Sequence, residues 1–322
     1  MRQLVKRVLF IAACGGLWFT FGGASPASAD NGPHTAGAGV VADGCASCHR
    51  THTAKAGNLL KQAQPGLCYS CHGTTGTGAA TDVQAGTGYA AKDRVTPNGA
   101  LRGGGFITAR INSLLPSGQK ATYSNNTGIV PVLGTGVATT STHSVDGTSA
   151  VAWGNGANNA VANTGAAVSL NCGSCHDPHG NGNYRVLKPL PEESGALAVA
   201  TNIVEPVTAI KTYTTANYWK SDDANTAGYI ANVSAWCTTC HTRYLSTAGA
   251  NNNADALFNY RHKSNGTTLG SANCITCHVS HGTNASMTAT ASLTGNPDGT
   301  ASTSSRLLRI DNKGTCQMCH NR

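Results

Sequence analysis

One pentapeptide, C-x-x-C-H, recurs six times and uses twelve of the thirteen cysteines. The copies are Cys45-Ala-Ser-Cys48-His49, Cys68-Tyr-Ser-Cys71-His72 and Cys172-Gly-Ser-Cys175-His176. Cys237-Thr-Thr-Cys240-His241, Cys274-Ile-Thr-Cys277-His278 and Cys316-Gln-Met-Cys319-His320 complete the set. Two thiols at this spacing reach the two vinyl groups along one edge of a porphyrin, and the adjoining histidine swings beneath the plane to the iron. Zinc ribbons use C-x-x-C pairs, but they do not require a histidine after every pair. Thioredoxin-like chemistry and a secreted disulfide framework leave the same six histidines unexplained. The spacing therefore predicts six covalently attached haem c groups, each carrying iron. His49, His72, His176, His241, His278 and His320 are the expected proximal ligands.

The twelve histidines then divide evenly. His34, His52, His143, His179, His262 and His281 lie outside the proximal positions, one for each open axial site. Bis-histidine ligation at every iron is the simplest solution. Methionine, the other common axial ligand of cytochromes c, is nearly unavailable. Met1 leads the chain, Met318 lies inside a motif, and only Met287 is free. His52, His179 and His281 share a longer pattern, C-x-x-C-H-x-x-H. On a helical turn, i and i+3 side chains lie on one face with Cβ atoms ~5–6 Å apart. The second histidine of each pair is thus expected to serve a different haem from the first, tying two irons through a short piece of backbone. Porphyrins held so close favour electron hopping.

The first 29 residues read as a signal peptide. Arg2, Lys6 and Arg7 form a positive start, Val8 to Phe21 is mostly apolar, and Ala27-Ser28-Ala29 is a small-residue cleavage site. The alternatives are a retained anchor, or a lipoprotein formed at Cys14 after Ile11-Ala12-Ala13. Cleavage after Ala29 removes the odd cysteine and three cations, lowering the formal +8 to +5. The remaining cations are scattered, which argues against a nucleic-acid partner. No later apolar run is long enough for an integral membrane segment. Export is expected, to the periplasm or through it to the cell surface and medium.

Gly and Pro supply 39 and 11 residues, only 11% of the chain is charged and 6% is aromatic. So little apolar bulk cannot offset the entropy of ordering by side-chain packing alone. The expected fold is mostly irregular coil, with short α-helices at the haem motifs and minimal β. Residues 30–322 form a single domain with the haems as its core. Helices are predicted over 45–63 and over 226–244, where Tyr229, Val233, Trp236 and Cys240 follow helical spacing. Val207 to Thr214 and Tyr184 to Leu187 alternate enough for short strands, candidates to pair with each other. Residues 73–168 should be mostly loop. They serve either as a spacer or as cover for haem edges or a neighbouring subunit. The twelve haem propionates would outweigh the mature chain's positive balance.

The order of features resembles the extracellular multihaem cytochromes of metal-reducing bacteria that assemble into nanowires. A lone His34 precedes a C-x-x-C-H-x-x-H, a second motif follows shortly, and a long gap comes next. Then come Cys172-Gly-Ser-Cys175-His176-Asp-Pro-His179-Gly180, Trp236-Cys237-Thr-Thr-Cys240-His241 and Arg261-His262. Asn273-Cys274-Ile-Thr-Cys277-His278-Val-Ser-His281 and a terminal motif at His320 follow. The order spans the whole mature chain, with shorter segments between motifs than in that family. The resemblance implies loops wrapped round a continuous haem chain and head-to-tail polymerisation with other copies of itself. It also implies electron delivery to metal oxides or partner multihaem cytochromes. Carried over, His52 would ligate the haem on Cys274, Cys277 and His278 of a neighbouring subunit. Two other readings compete: a soluble monomeric electron shuttle, and a nitrite- or sulfite-reducing enzyme. Such enzymes often mark an open iron with C-x-x-C-K, which is absent here, so no catalytic residues are expected.

Overall fold

The cysteine motifs themselves make most of the helices. α1 (Gly66–His72), α2 (Cys172–Cys175), α3 (Ala227–Cys237), α4 (Cys274–Cys277) and α5 (Gly314–Gln317) each contain or adjoin one copy. This computed structural model describes residues 34, 43–110, 136–156, 167–195, 198–203, 212–213, 227–244, 255, 257, 274–287, 302, 304–311 and 314–317. Side chains are not described for 212–213, 227–231, 276 and 316–317. The first motif forms a turn rather than a named helix. Asp43 caps it, accepting from the Ala46 amide at 3.0 Å, and the Ser47 amide bonds to the Asp43 carbonyl. Asn171 caps α2 through a reciprocal bond with Ser174, which satisfies two amides otherwise orphaned at a helix start.

Short strands fill the intervals. β1 (Thr81–Asp82), β2 (Thr87–Tyr89), β3 (Pro97–Leu101) and β9 (Thr212–Tyr213) form one antiparallel sheet in that order. β4 (Thr108–Ala109) pairs β5 (Val137–Ala138), and β7 (Ser149–Val151) pairs β8 (Ala167–Ser169). β6 (Ser141–Thr142) pairs β10 (Gly282–Thr283) across more than a hundred residues of chain. Gly104 (φ +73°) lies against Gly282 in a parallel bridge, where an added Cβ would strike the Gly282 carbonyl. Only glycine fits that approach.

Apolar packing is sparse. The main described cluster is Tyr184, Ile203 and Val233, with Leu187, Trp236, Cys237 and Ile275 against it. Buried polar groups carry much of the rest. Asp82, 1% exposed, pairs with Arg94 at 3.0 Å and accepts from the Gln84 and Ala85 amides. Arg243 and Asp255 form a buried two-pronged pair at 2.8 and 2.9 Å. Asp255→Ala leaves that guanidinium buried without its carboxylate. The expected cost is about 3–5 kcal/mol, read as a lower midpoint in chemical unfolding. An unchanged midpoint would contradict it.

Several sequence expectations need correction. Residues 45–63 are not a helix: after the turn at Cys48 the chain reverses and Leu60 returns to bridge His49. Asn58 and Leu59, at φ 56° and 57°, make that reversal. Tyr184–Val186 is a three-residue 3₁₀ turn broken by left-handed backbone, with only Leu187 bridging His176. Of the 207–214 segment only Thr212–Tyr213 is described, and it pairs with β3 rather than with Tyr184–Leu187. The predicted helix over 226–244 ends at Cys237 and continues as a turn and a 3₁₀ segment, Thr242–Tyr244. Among the described residues of 73–168, the short strands β1 to β8 lie between loops, the last ending at Ser169. Their partners are often distant in sequence, so local composition carries no sign of them.

Candidate haem sites

Each described motif closes one helical turn that carries its histidine to the end. The histidine amide bonds to the first cysteine's carbonyl at 2.9 Å for His49, 2.9 Å for His176, 3.1 Å for His241 and 2.8 Å for His278. Both thiols and the imidazole therefore leave the same short turn. The His176 backbone is already extended (φ −111°, ψ 143°), so His176 and His179 do not share a helical turn. The premise of the i, i+3 argument fails there. Its consequence is tested by where the second histidines lie.

The imidazole hydrogen bonds select a tautomer. Nδ1 of His49, His176, His241 and His278 lies 2.9, 2.9, 2.6 and 2.8 Å from the carbonyls of Asn58, Arg185, Trp153 and Arg306. A carbonyl only accepts, so each Nδ1 carries the proton and each Nε2 keeps a free lone pair. That is the arrangement a metal-ligating histidine needs, with the far nitrogen held by an outer partner. His72 differs: its Nδ1 meets the Thr81 hydroxyl at 3.0 Å. Burial favours the neutral imidazole at His72, His143, His176, His241, His278 and His281. His72 and His241 are pushed down to about 4 and His281 to about 3, in each case chiefly by desolvation.

Four of the remaining histidines face proximal ones in pairs. Ring centroids lie 6.0 Å apart for His34 and His72, 6.2 Å for His49 and His179, 6.2 Å for His143 and His241, and 6.4 Å for His176 and His281. Two imidazoles trans on one metal, each with a metal–nitrogen bond of about 2 Å, have centroids roughly 6 Å apart. In two of the three close pairs the second histidine meets the proximal histidine of another motif. His179 faces His49 rather than His176, and His281 faces His176 rather than His278. His143 is placed by tertiary structure alone. Beside β6 it donates its amide to the His281 carbonyl (2.9 Å), and its Nδ1 bonds to the Ser280 carbonyl at 2.7 Å. His34 is held through Nδ1 to the Pro178 carbonyl at 2.8 Å.

His52 is exposed, and no described imidazole faces it or His278 at ligand-pair distance. His262, His320 and Cys319 lie outside the described residues, as does the side chain of Cys316. Among the described residues no three His, Cys, Asp or Glu side chains converge as a metal cluster. A Cys₄ zinc site would need four thiolates to do so.

Neighbouring motifs bring their thiols close together. The Cys172 thiol hydrogen-bonds to Cys68 and that of Cys237 to Cys274, while Cys48 lies near Cys68 and Cys175 near Cys240. The first five motifs are thereby adjacent in sequence order. The residues fit covalent haem c: paired thiols on one turn, a proximal imidazole held through Nδ1 and, at four motifs, a second imidazole at the matching distance. Sequence reasoning missed the groups that orient the proximal histidines, namely Thr81 and the carbonyls of Asn58, Arg185, Trp153 and Arg306. Backbone acceptors leave no signature in residue identity.

Residues 38–77, which span the first two motifs, match the family described as "Doubled CXXCH motif". The chain carries the covalent attachment motifs of haem c. It is similar to multihaem c-type cytochromes, whose general work is electron transfer. No curated protein matches the chain. No solved structure matches it either.

Proposed function

We propose that the mature chain binds six haem c groups, all bis-histidine, and conducts electrons along them as the subunit of an extracellular filament. The observation that carries this reading is the set of four facing imidazole pairs with centroids 6.0–6.4 Å apart. A bound haem supplies reversible one-electron exchange at its iron. The protein's share is to aim each proximal imidazole through its Nδ1 partner and to keep successive motifs close together. His34 then completes the site of His72, His179 that of His49, His281 that of His176, and His143 that of His241. The sparse apolar cluster supports a domain whose core is the haem stack. Exposed His52, and a His278 that faces no imidazole among the described residues, favour a polymer over a monomeric shuttle, with His52 entering the Cys274–His278 site of the next copy. The occupants beyond the filament would be partner cytochromes and metal oxides, reached after export and removal of residues 1–29.

The intact mass of the secreted chain tests the haem reading, with six haems on residues 30–322 as the expected result. Fewer than six would defeat it. Electron microscopy of the same preparation should show filaments, and monodisperse particles at high concentration would reject the polymer.

The ring planes supply a further expectation. His49 and His179 are nearly parallel at 10°, whereas His34/His72 cross at 76° and His176/His281 at 61°. Near-parallel imidazoles give rhombic low-spin ferric spectra, and crossed ones give signals with a large highest g value. Electron paramagnetic resonance of the oxidised protein should therefore show both classes. A single class would contradict the pairing.

A further inference from the structure

The first, third and fifth motifs share a partner segment that residue patterns do not announce. Asn58-Leu59-Leu60-Lys61, Arg185-Val186-Leu187-Lys188 and Arg306-Leu307-Leu308-Arg309 lie against them. The first residue's carbonyl accepts from the proximal His Nδ1 at 2.9, 2.9 and 2.8 Å. The second residue's carbonyl accepts the amide just after that histidine, from Arg50, Asp177 and Val279, at 2.8, 2.7 and 2.8 Å. The third residue, always leucine, bridges the histidine backbone in antiparallel fashion. The fourth, always basic, donates its amide to the second cysteine's carbonyl at 2.9 Å in all three copies.

The backbone of the first two residues is the unusual part. Asn58 and Leu59 have φ of 56° and 57°, Arg185 and Val186 of 48° and 52°, Arg306 and Leu307 of 51° and 60°. Only eight described non-glycine residues have positive φ, and these are six of them. A β-branched residue such as Val186 pays heavily for that region, and such strain persists only where the surroundings over-determine it. Here the double reversal aims one carbonyl at the histidine's Nδ1 and the next at the amide that follows the histidine. The spacing from histidine to leucine differs, 11 residues in two motifs and 30 in the fifth, so the shared geometry does not come from a shared loop length.

We infer that these tetrapeptides are three copies of one docking element whose first carbonyl fixes the orientation and tautomer of the proximal histidine. Asn58, Arg185 and Arg306 act through that histidine as positioning residues. The second and fourth motifs have no such segment, and Thr81 and the Trp153 carbonyl take its place. The inference rests on the haem reading above.

Val186→Pro and Val186→Gly test it on the secreted full chain. Proline fixes φ near −65° and cannot take the left-handed turn, whereas glycine takes it freely. The proline variant should keep six haems by mass but shift or lose one low-spin ferric component in electron paramagnetic resonance. The glycine variant should match the wild type. Six haems with an unchanged spectrum in Val186→Pro would overturn the docking role alone. A wild-type chain without covalent haem would overturn both readings. Should the proline variant not accumulate, the native reduced protein decides. The Nδ1 protons of His49, His176 and His278 should exchange slowly with solvent, and exchange of all three at the rate of a free imidazole would overturn the inference.

Discussion

His52→Ala is expected to yield a secreted chain that carries six haems and forms no filaments. His52 is exposed and lies three residues beyond His49, on the chain reversal that leads to the Leu60 bridge. Its removal takes nothing from the described interior, so folding and haem attachment should be unaffected. His179 already faces His49, so His52 is not needed at that site. In the proposed polymer each His52 completes the site of His278 in a neighbour. A metal–ligand bond at every junction makes assembly depend on one side chain. The expected change is from filaments to monomers in electron microscopy, with a high-spin or ligand-binding iron appearing in the monomer. Intact filaments from His52→Ala would refute the inter-subunit ligand.

His281→Ala should have the second large effect. His281 faces His176 at 6.4 Å and stacks on Phe106 at 4.6 Å. Its amide is tied to the Gly103 carbonyl at 2.7 Å, and this backbone contact survives the substitution. The variant should therefore fold with one iron lacking its sixth ligand. About one iron in six becomes high-spin when oxidised, and the same fraction binds carbon monoxide when reduced, against none in the wild type. A variant that stays wholly low-spin and binds no carbon monoxide would remove His281 from the ligand set. His143→Ala should act likewise at the His241 site, which makes the pair an internal check.

The haem chemistry was legible because it depends on residue identity at fixed spacing. Cys-x-x-Cys-His needs no tertiary context to hold two thiols and an imidazole on one turn, and the described copies do so. The helix at Ala227–Cys237 was legible for a related reason, its apolar residues following helical spacing. The helix proposed over 45–63 was not there. Left-handed backbone at Asn58 and Leu59 is stabilised by contacts with His49 and Arg50, and nothing in the local composition encodes those contacts.

Distal pairing was illegible for the same reason. The i, i+3 spacing suggested that His179 and His281 serve other haems than their neighbours do, but not which ones. His143 looked like any histidine in a Thr/Gly-rich tract. Pairing of β6 with β10 sets it beside His281 and opposite His241.

The attachment chemistry, the number of motifs and the matching number of histidines are all written in residue types and their spacing. Which imidazole faces which, how their planes are turned and which carbonyls hold them emerge from the folded chain. Those relations join residues far apart in the chain through backbone hydrogen bonds, and every residue type carries the same backbone groups.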